Sequence, residues 1–275
     1  MQYHPIGIFD SGFGGLTVLK DIEQVLPQYD YLYYGDNARA PYGSRSFEIV
    51  YAYTRDAVRW LFQMGCPLVI LACNTASAKA LRTIQQNDLP TLAPDRRVLG
   101  VIRPVSEMVG RLTKTKHIGI LATVGTVASN SYAIEITKHF PEVIVVQEAC
   151  PMWVPLVENN EFNSQGADYF VKQHIDRLFQ KDPRIDTIVL GCTHYPLLEN
   201  KIRAYLRPEI TLISQGPIVA ERLADYLRRH PEIEARCSKG GRREFYTSEK
   251  ADVFERLATI FYGREIHCKE IVCPA

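Results

Sequence analysis

Short runs in which nearly every position is apolar recur along the chain: PIGIFDSG, YDYLYYGD, PLVILACN, VLGVI, HIGILAT, EVIVVQEAC, DTIVLGC and ITLIS. Several are apolar on both faces, as strands of a parallel sheet must be when helices cover each side. Between them, GLTVLKDIEQVLP, SFEIVYAYTRDAVRWLFQMG, YAIEITKHF, YFVKQHIDRLFQ and PIVAERLADYLRRH repeat apolar residues at the spacing of an amphipathic helix. Strands alternating with helices predict an α/β fold of mainly parallel sheets flanked by helices.

The pattern also repeats. IGIFDSGFGGLTVL from Ile6 resembles IGILATVGTVASNS from Ile118, and PLVILACNTASAKAL from Pro67 resembles DTIVLGCTHYPLLEN from Asp186. The separation of Ile6 from Cys73 is close to that of Ile118 from Cys192. Two similar α/β units, each with one cysteine ending an equivalent strand, are the simplest reading.

Composition narrows the picture. A chain of 275 residues with 46% apolar content can bury one large core or two ordinary ones. A formal charge of +1 offers no electrostatic footprint for nucleic acid, and the basic run RREF at Arg242 reads as solvated surface. MQYHPIGIFDSG lacks a basic stretch followed by an apolar signal core, and no apolar run reaches the ~18 residues of a membrane span, so no membrane partner and a cytoplasmic location are expected. The seven cysteines lack the paired spacing of a zinc site, and in a reducing compartment the default for each is a free thiol. His267, Cys268 and Cys273 lack a fourth ligand nearby and read as part of an edge strand.

Cys73 and Cys192 stand apart from the other five. Ligands of open parallel sheets bind beyond the carboxyl ends of strands, where the next helix begins. Both cysteines fall there, followed by NTAS and TH, which supply hydrogen-bond donors and helix caps. A helix amino terminus is expected to favour the thiolate of each. If the two units face each other, two thiols confront one small anion from opposite sides. That arrangement suits removal of the α-proton of an amino acid on one face and return of a proton on the other, without a cofactor or metal.

FDSGFGGL, YGDNARAPYGSRS, ACNTASA, GILATVGT, ACPMWVPLVE and GCTHYPLL, in this order over nearly the whole chain, resemble the cofactor-independent glutamate racemases that supply D-glutamate for peptidoglycan. The resemblance implies two pseudo-symmetric domains with the site between them: residues 1–97 with 210–275, and residues 98–209. It matches Cys73 and Cys192 to the two catalytic thiols, Asp10 to an acidic partner on the Cys73 side, and Glu158 and His194 to groups assisting Cys192. Substrate, L- or D-glutamate, is expected at Asp10, Ser11, Pro41, Tyr42, Gly43, Asn74, Thr75, Thr123, Thr126, Thr193 and His194. A homodimer is one assembly left open. The chain departs from the family in QGPIVAERL, which follows ITLIS, and in GVIRPV, neither of which is expected to touch a motif residue.

Other readings compete at several positions. Asp10 could only cap the helix opening at GGLTVL. GFGG lacks the spacing of a dinucleotide loop. Cys66 reads as core, Cys150 as wall near the site, and YDYLYYGD as packing. At the level of function the alternatives are a racemase of aspartate or another acidic amino acid, a cysteine hydrolase using Cys192 and His194, and a module that binds a carboxylate without chemistry. The hydrolase leaves a second cysteine unexplained.

Overall fold

The computed structural model describes residues 3–274. Each apolar run forms a strand: β1 (Ile6–Asp10), β2 (Tyr31–Gly35), β3 (Leu68–Leu71), β4 (Arg97–Gly100), β5 (His117–Ala122), β6 (Ile144–Ala149), β7 (Thr187–Gly191) and β8 (Thr211–Ile213). Two more follow, β9 (Arg243–Thr247) and β10 (Cys268–Glu270). They build a six-stranded sheet in the order β10-β9-β2-β1-β3-β4 and a four-stranded sheet in the order β6-β5-β7-β8. Every strand pair is parallel. The fold is α/β, with helices flanking both sheets.

The repeat is visible in the topology. β2-β1-β3-β4 and β6-β5-β7-β8 have the same order and direction, so β1 corresponds to β5 and β3 to β7. Cys73 lies just past the end of β3, and Cys192 just past the end of β7. β9 and β10 then widen the first sheet beyond β2. The expected division at 97/98 and 209/210 differs slightly from sheet membership: all of β4 lies in the six-stranded sheet, and β8 lies in the four-stranded one.

The RREF run corrects a sequence expectation. It leads into β9, where Phe245, Tyr246 and Thr247 are buried. Arg243 is compatible with this because its guanidinium leaves the sheet to meet Glu23 at 2.7 Å and the face of Tyr31 at 4.9 Å. Two leading arginines masked a strand whose second half is core.

All five amphipathic stretches are helical, at Gly15–Val25, Phe47–Gln63, Ser131–His139, Gln165–Lys181 and Gln215–Arg229. Short helices begin where β3, β5 and β6 end, at Asn74–Lys79, Val124–Ala128 and Trp153–Glu158. The Gln215–Arg229 helix leaves β8 and packs on the Gly15–Val25 helix of the other unit. One apolar cluster therefore runs from Ile6, Leu16 and Leu223 through to Trp153, Leu190 and Ile202, joining the two units along one side. Among the described residues no helix is long and apolar enough to cross a membrane.

Candidate active site

A cavity of about 210 Å³ lies where the carboxyl ends of the two sheets meet. Ser11, Pro41, Tyr42, Gly43, Cys73, Asn74 and Thr75 line it from the first unit, and Thr123, Glu158, Cys192, Thr193 and His194 from the second. The wall is completed by Ala40, Ser44, Val124, Cys150, Pro151, Val154 and Pro155. Both sulfurs face one space, as the sequence repeat requires. No lysine or arginine lines it, so an anion there depends on hydroxyls, backbone N–H groups and His194.

The two thiols have different surroundings. Cys73 caps the Asn74–Lys79 helix: its Sγ accepts from the Ala76 N–H at 3.5 Å and donates to Ser11 Oγ at 3.4 Å. Burial, and after it the Asp10 carboxylate, push this thiol up to about 12, although the hydrogen bonds of Ser11 and Ala76 oppose them. The expected thiolate at this helix terminus is therefore not the resting state. A single short helical turn cannot offset desolvation and a neighbouring negative charge.

Cys192 has a histidine instead. Its Sγ lies 3.9 Å from His194 Nδ1, and His194 Nε2 lies 3.0 Å from Glu158 Oε1. Burial pulls the imidazole down, but the hydrogen bonds and charges of Cys192 and Glu158 outweigh it and push His194 up to about 10. The ring is held on the remaining sides: Phe261 packs edge-to-face on it with centroids 5.2 Å apart. Trp153 meets Tyr195 at 4.7 Å, and the Tyr195 hydroxyl donates to the Cys150 carbonyl at 3.1 Å. These contacts fix the helix bearing Glu158 against the turn bearing His194.

Two expected site residues lie outside the cavity. Asp10 is fully buried behind it, accepting from the Gly12 N–H at 2.9 Å and from Thr193 Oγ1 at 3.4 Å. Burial pushes its carboxyl up, against the pull of His194 and of backbone N–H groups. It faces Cys73 as a charge, with Ser11 the hydrogen-bond partner of the sulfur. Thr126 also stands back, joined to Thr75 Oγ1 at 3.4 Å and Thr123 Oγ1 at 3.1 Å, so the Thr75–Thr123 contact at 3.0 Å ties the two walls together. Tyr42 presents its ring, because its hydroxyl is committed to Asp36. The Gly43 carbonyl accepts from the Gly125 N–H at 2.7 Å across the cavity mouth.

Sequence reasoning missed a role for GFGG. A Cβ on Gly14 would lie 2.2 Å from Thr193 Oγ1 and 2.5 Å from His194 Nδ1, and one on Gly15 would lie 2.6 Å from Asp10 Cβ. Gly14 lets this helix start touch the other unit's Thr193–His194 turn, and Gly15 lets it close on Asp10 of its own unit. Gly14→Ala is expected to push that turn away and cost about 1–3 kcal/mol of stability from overpacking, read as a lower urea midpoint. An unchanged midpoint would show that the turn yields freely.

Comparison with known proteins places this geometry. Residues 6–223 match the Asp/Glu/hydantoin racemase family. A glutamate racemase of Ruegeria sp. is 42% identical over 271 residues, covering 95% of this chain and 97% of its own length. The crystal structure of a glutamate racemase isoform from Bacillus anthracis superposes with a TM-score of 0.89 at 34% identity, covering 100% of this chain and 99% of that one. That of glutamate racemase from Francisella tularensis, in complex with D-glutamate, gives 0.88 at 29% identity, covering 99% of both chains. With equivalent thiols at equivalent strand ends and relatives matched along its whole length, the chain belongs to the Asp/Glu/hydantoin racemase family, among its glutamate racemases.

Proposed function

We propose that this chain interconverts L- and D-glutamate by a two-base mechanism, with Cys192 serving the L-glutamate face and Cys73 the D-glutamate face. The observation that carries this reading is the pair of thiols lining one cavity from two pseudo-equivalent strand ends. In the L-to-D direction the Cys192 thiolate takes the α-proton, and the electron pair of the broken C–H bond moves into the adjacent carboxylate. The Cys73 thiol then gives its proton to the opposite face, ending as the thiolate, while Cys192 ends as the thiol. The D-to-L direction reverses each transfer. A protonated Cys73 and a Cys192 beside a cationic His194 are the state this first step needs.

The other residues have supporting tasks. His194 stabilises the Cys192 thiolate, and Glu158 keeps His194 charged and oriented. Asp10 disfavours a second negative charge at Cys73 until substrate supplies its ammonium group. Ser11, Thr75, Thr123 and Thr193, with backbone N–H groups at Asn74 and Gly43, hold the carboxylates, while Pro41 and Tyr42 close the wall. The two sheet units act as jaws that open to admit substrate and close to exclude water. The cavity is complete within one chain, so a homodimer is not needed to build it. A cytoplasmic enzyme supplying D-glutamate to peptidoglycan synthesis fits this activity.

The competing reading, an aspartate racemase, would use the same thiols on a shorter side chain. Steady-state kcat/KM for L-glutamate is expected to exceed that for L-aspartate by at least about 10-fold, the discrimination one methylene supports in a fitted pocket. Equal or higher efficiency with aspartate would overturn the glutamate assignment.

A further inference from the structure

Gln215 stands in the QGPIVAERL segment, which was not expected to touch a motif residue, yet its side chain is the buried partner of Asn74, a cavity residue. The Asn74 Nδ2 group donates to Gln215 Oε1 at 2.8 Å, and Gln215 Nε2 donates back to Asn74 Oδ1 at 2.8 Å. The Tyr132 hydroxyl donates to the same Asn74 oxygen at 2.8 Å and is also contacted by Gln215 Nε2. Asn74, Tyr132 and Gln215 are 2%, 0% and 3% exposed. The group spans the structure: Asn74 follows Cys73 in the first unit, Tyr132 lies on a helix of the second, and Gln215 opens the helix leaving β8. Gln215 also lines, with Cys192 and Thr193, a second cavity of about 30 Å³, so it stands close to both thiol-bearing turns.

We propose that Gln215 is a positioning residue for the racemisation: its paired amide bonds fix Asn74, and thereby the turn that aims Cys73 at the α-carbon. This rests on the two-thiol reading above. An amide facing an amide satisfies both donors and acceptors, which a buried polar group requires and water cannot replace here. Breaking the pair leaves the Asn74 side chain held by Tyr132 alone and free to turn about that bond, and misplacement of a reacting group by about 1 Å is enough to cost 10²-fold in rate.

Two variants separate this role from a merely structural one. Gln215→Met keeps the length and loses both bonds; its kcat for glutamate is expected to fall by about 10- to 100-fold, more than KM rises. Gln215→Glu has a built-in rescue. A protonated carboxyl has one donor and one acceptor and can pair with the Asn74 amide, whereas the carboxylate only accepts. Burial favours the protonated form. The activity of Gln215→Glu relative to the unmodified protein is therefore expected to be high at pH 6 and to fall as pH rises to 9. A kcat within twofold for Gln215→Met, or a Gln215→Glu profile parallel to that of the unmodified protein, overturns the proposal.

A third readout needs no substrate. Alkylation rates mapped by mass spectrometry are expected to change several-fold at Cys73 in Gln215→Met and to hold at Cys192; equal behaviour of the two sulfurs overturns the proposal even if Gln215→Glu does not fold. If the unmodified protein fails to racemise glutamate, the glutamate reading falls, and the alkylation comparison still decides the role of Gln215.

Discussion

Replacing Cys73 with alanine is expected to abolish net inversion in both directions, with kcat falling by about 10³-fold or more, while the α-hydrogen of L-glutamate still exchanges slowly in deuterated water. The variant keeps Cys192 with its histidine partner at 3.9 Å, and on the two-thiol mechanism proposed above that sulfur still removes a proton from the L face and returns a deuteron to it. No group then lies ready to protonate the other face. Cys192→Ala is expected to show the mirror image, with exchange confined to D-glutamate. L- and D-glutamate have equal free energy in water, so kcat/KM must be the same in both directions for any variant. Only the exchange experiment can distinguish the faces. Substantial racemisation by either variant would mean that one base suffices; exchange of the opposite isomers would mean that the faces are interchanged while the two-thiol chemistry stands.

What the sequence revealed of this site, and what it hid, follows from the range of the interactions. The strand runs ending in Cys73 and Cys192 are local patterns, and their repeat carries the two-unit topology directly, because equivalent sequence positions fall on equivalent strands. β9 was hidden because its leading Arg243 finds Glu23 and Tyr31 far away in the chain. Gln215 was hidden for the same reason, its partners Asn74 and Tyr132 being remote in sequence. Asp10 and Thr126 belong to motifs that surround the cavity, but a motif does not say which of its side chains reach the space and which stand behind. The state of Cys73 depends on burial and on Asp10, and the balance between those and a helix terminus emerges only when all three are in place.

Glu158→Gln is expected to shift the alkaline limb of the pH profile for L-to-D conversion downward by about one unit, so that at pH 10 the variant loses roughly tenfold relative to its own value at pH 7, against about twofold for the unmodified protein. Burial lowers the basicity of His194, and the bonds to Cys192 and Glu158 raise it further, from an ordinary 6.5 to about 10. Amidation of Glu158 removes one of the two groups that hold the proton on the ring. A gain that comes from a raised value is fully present below the ordinary 6.5 and disappears as pH rises through about 10. The unmodified protein should accordingly retain the charged His194 beside Cys192 well above neutrality, and Glu158→Gln should lose it earlier. His194→Asn removes the cation altogether and is expected to lower kcat by about 10²–10⁴-fold at pH 7, the usual range for a lost acid or base partner. Its thermal midpoint deficit relative to the unmodified protein should be larger at pH 7 than at pH 10.5, because above about 10 the imidazole of the unmodified protein is itself discharged. An alkaline limb left in place by Glu158→Gln would assign that limb to a group other than His194, and with it would fall the claim that Glu158 works through the histidine.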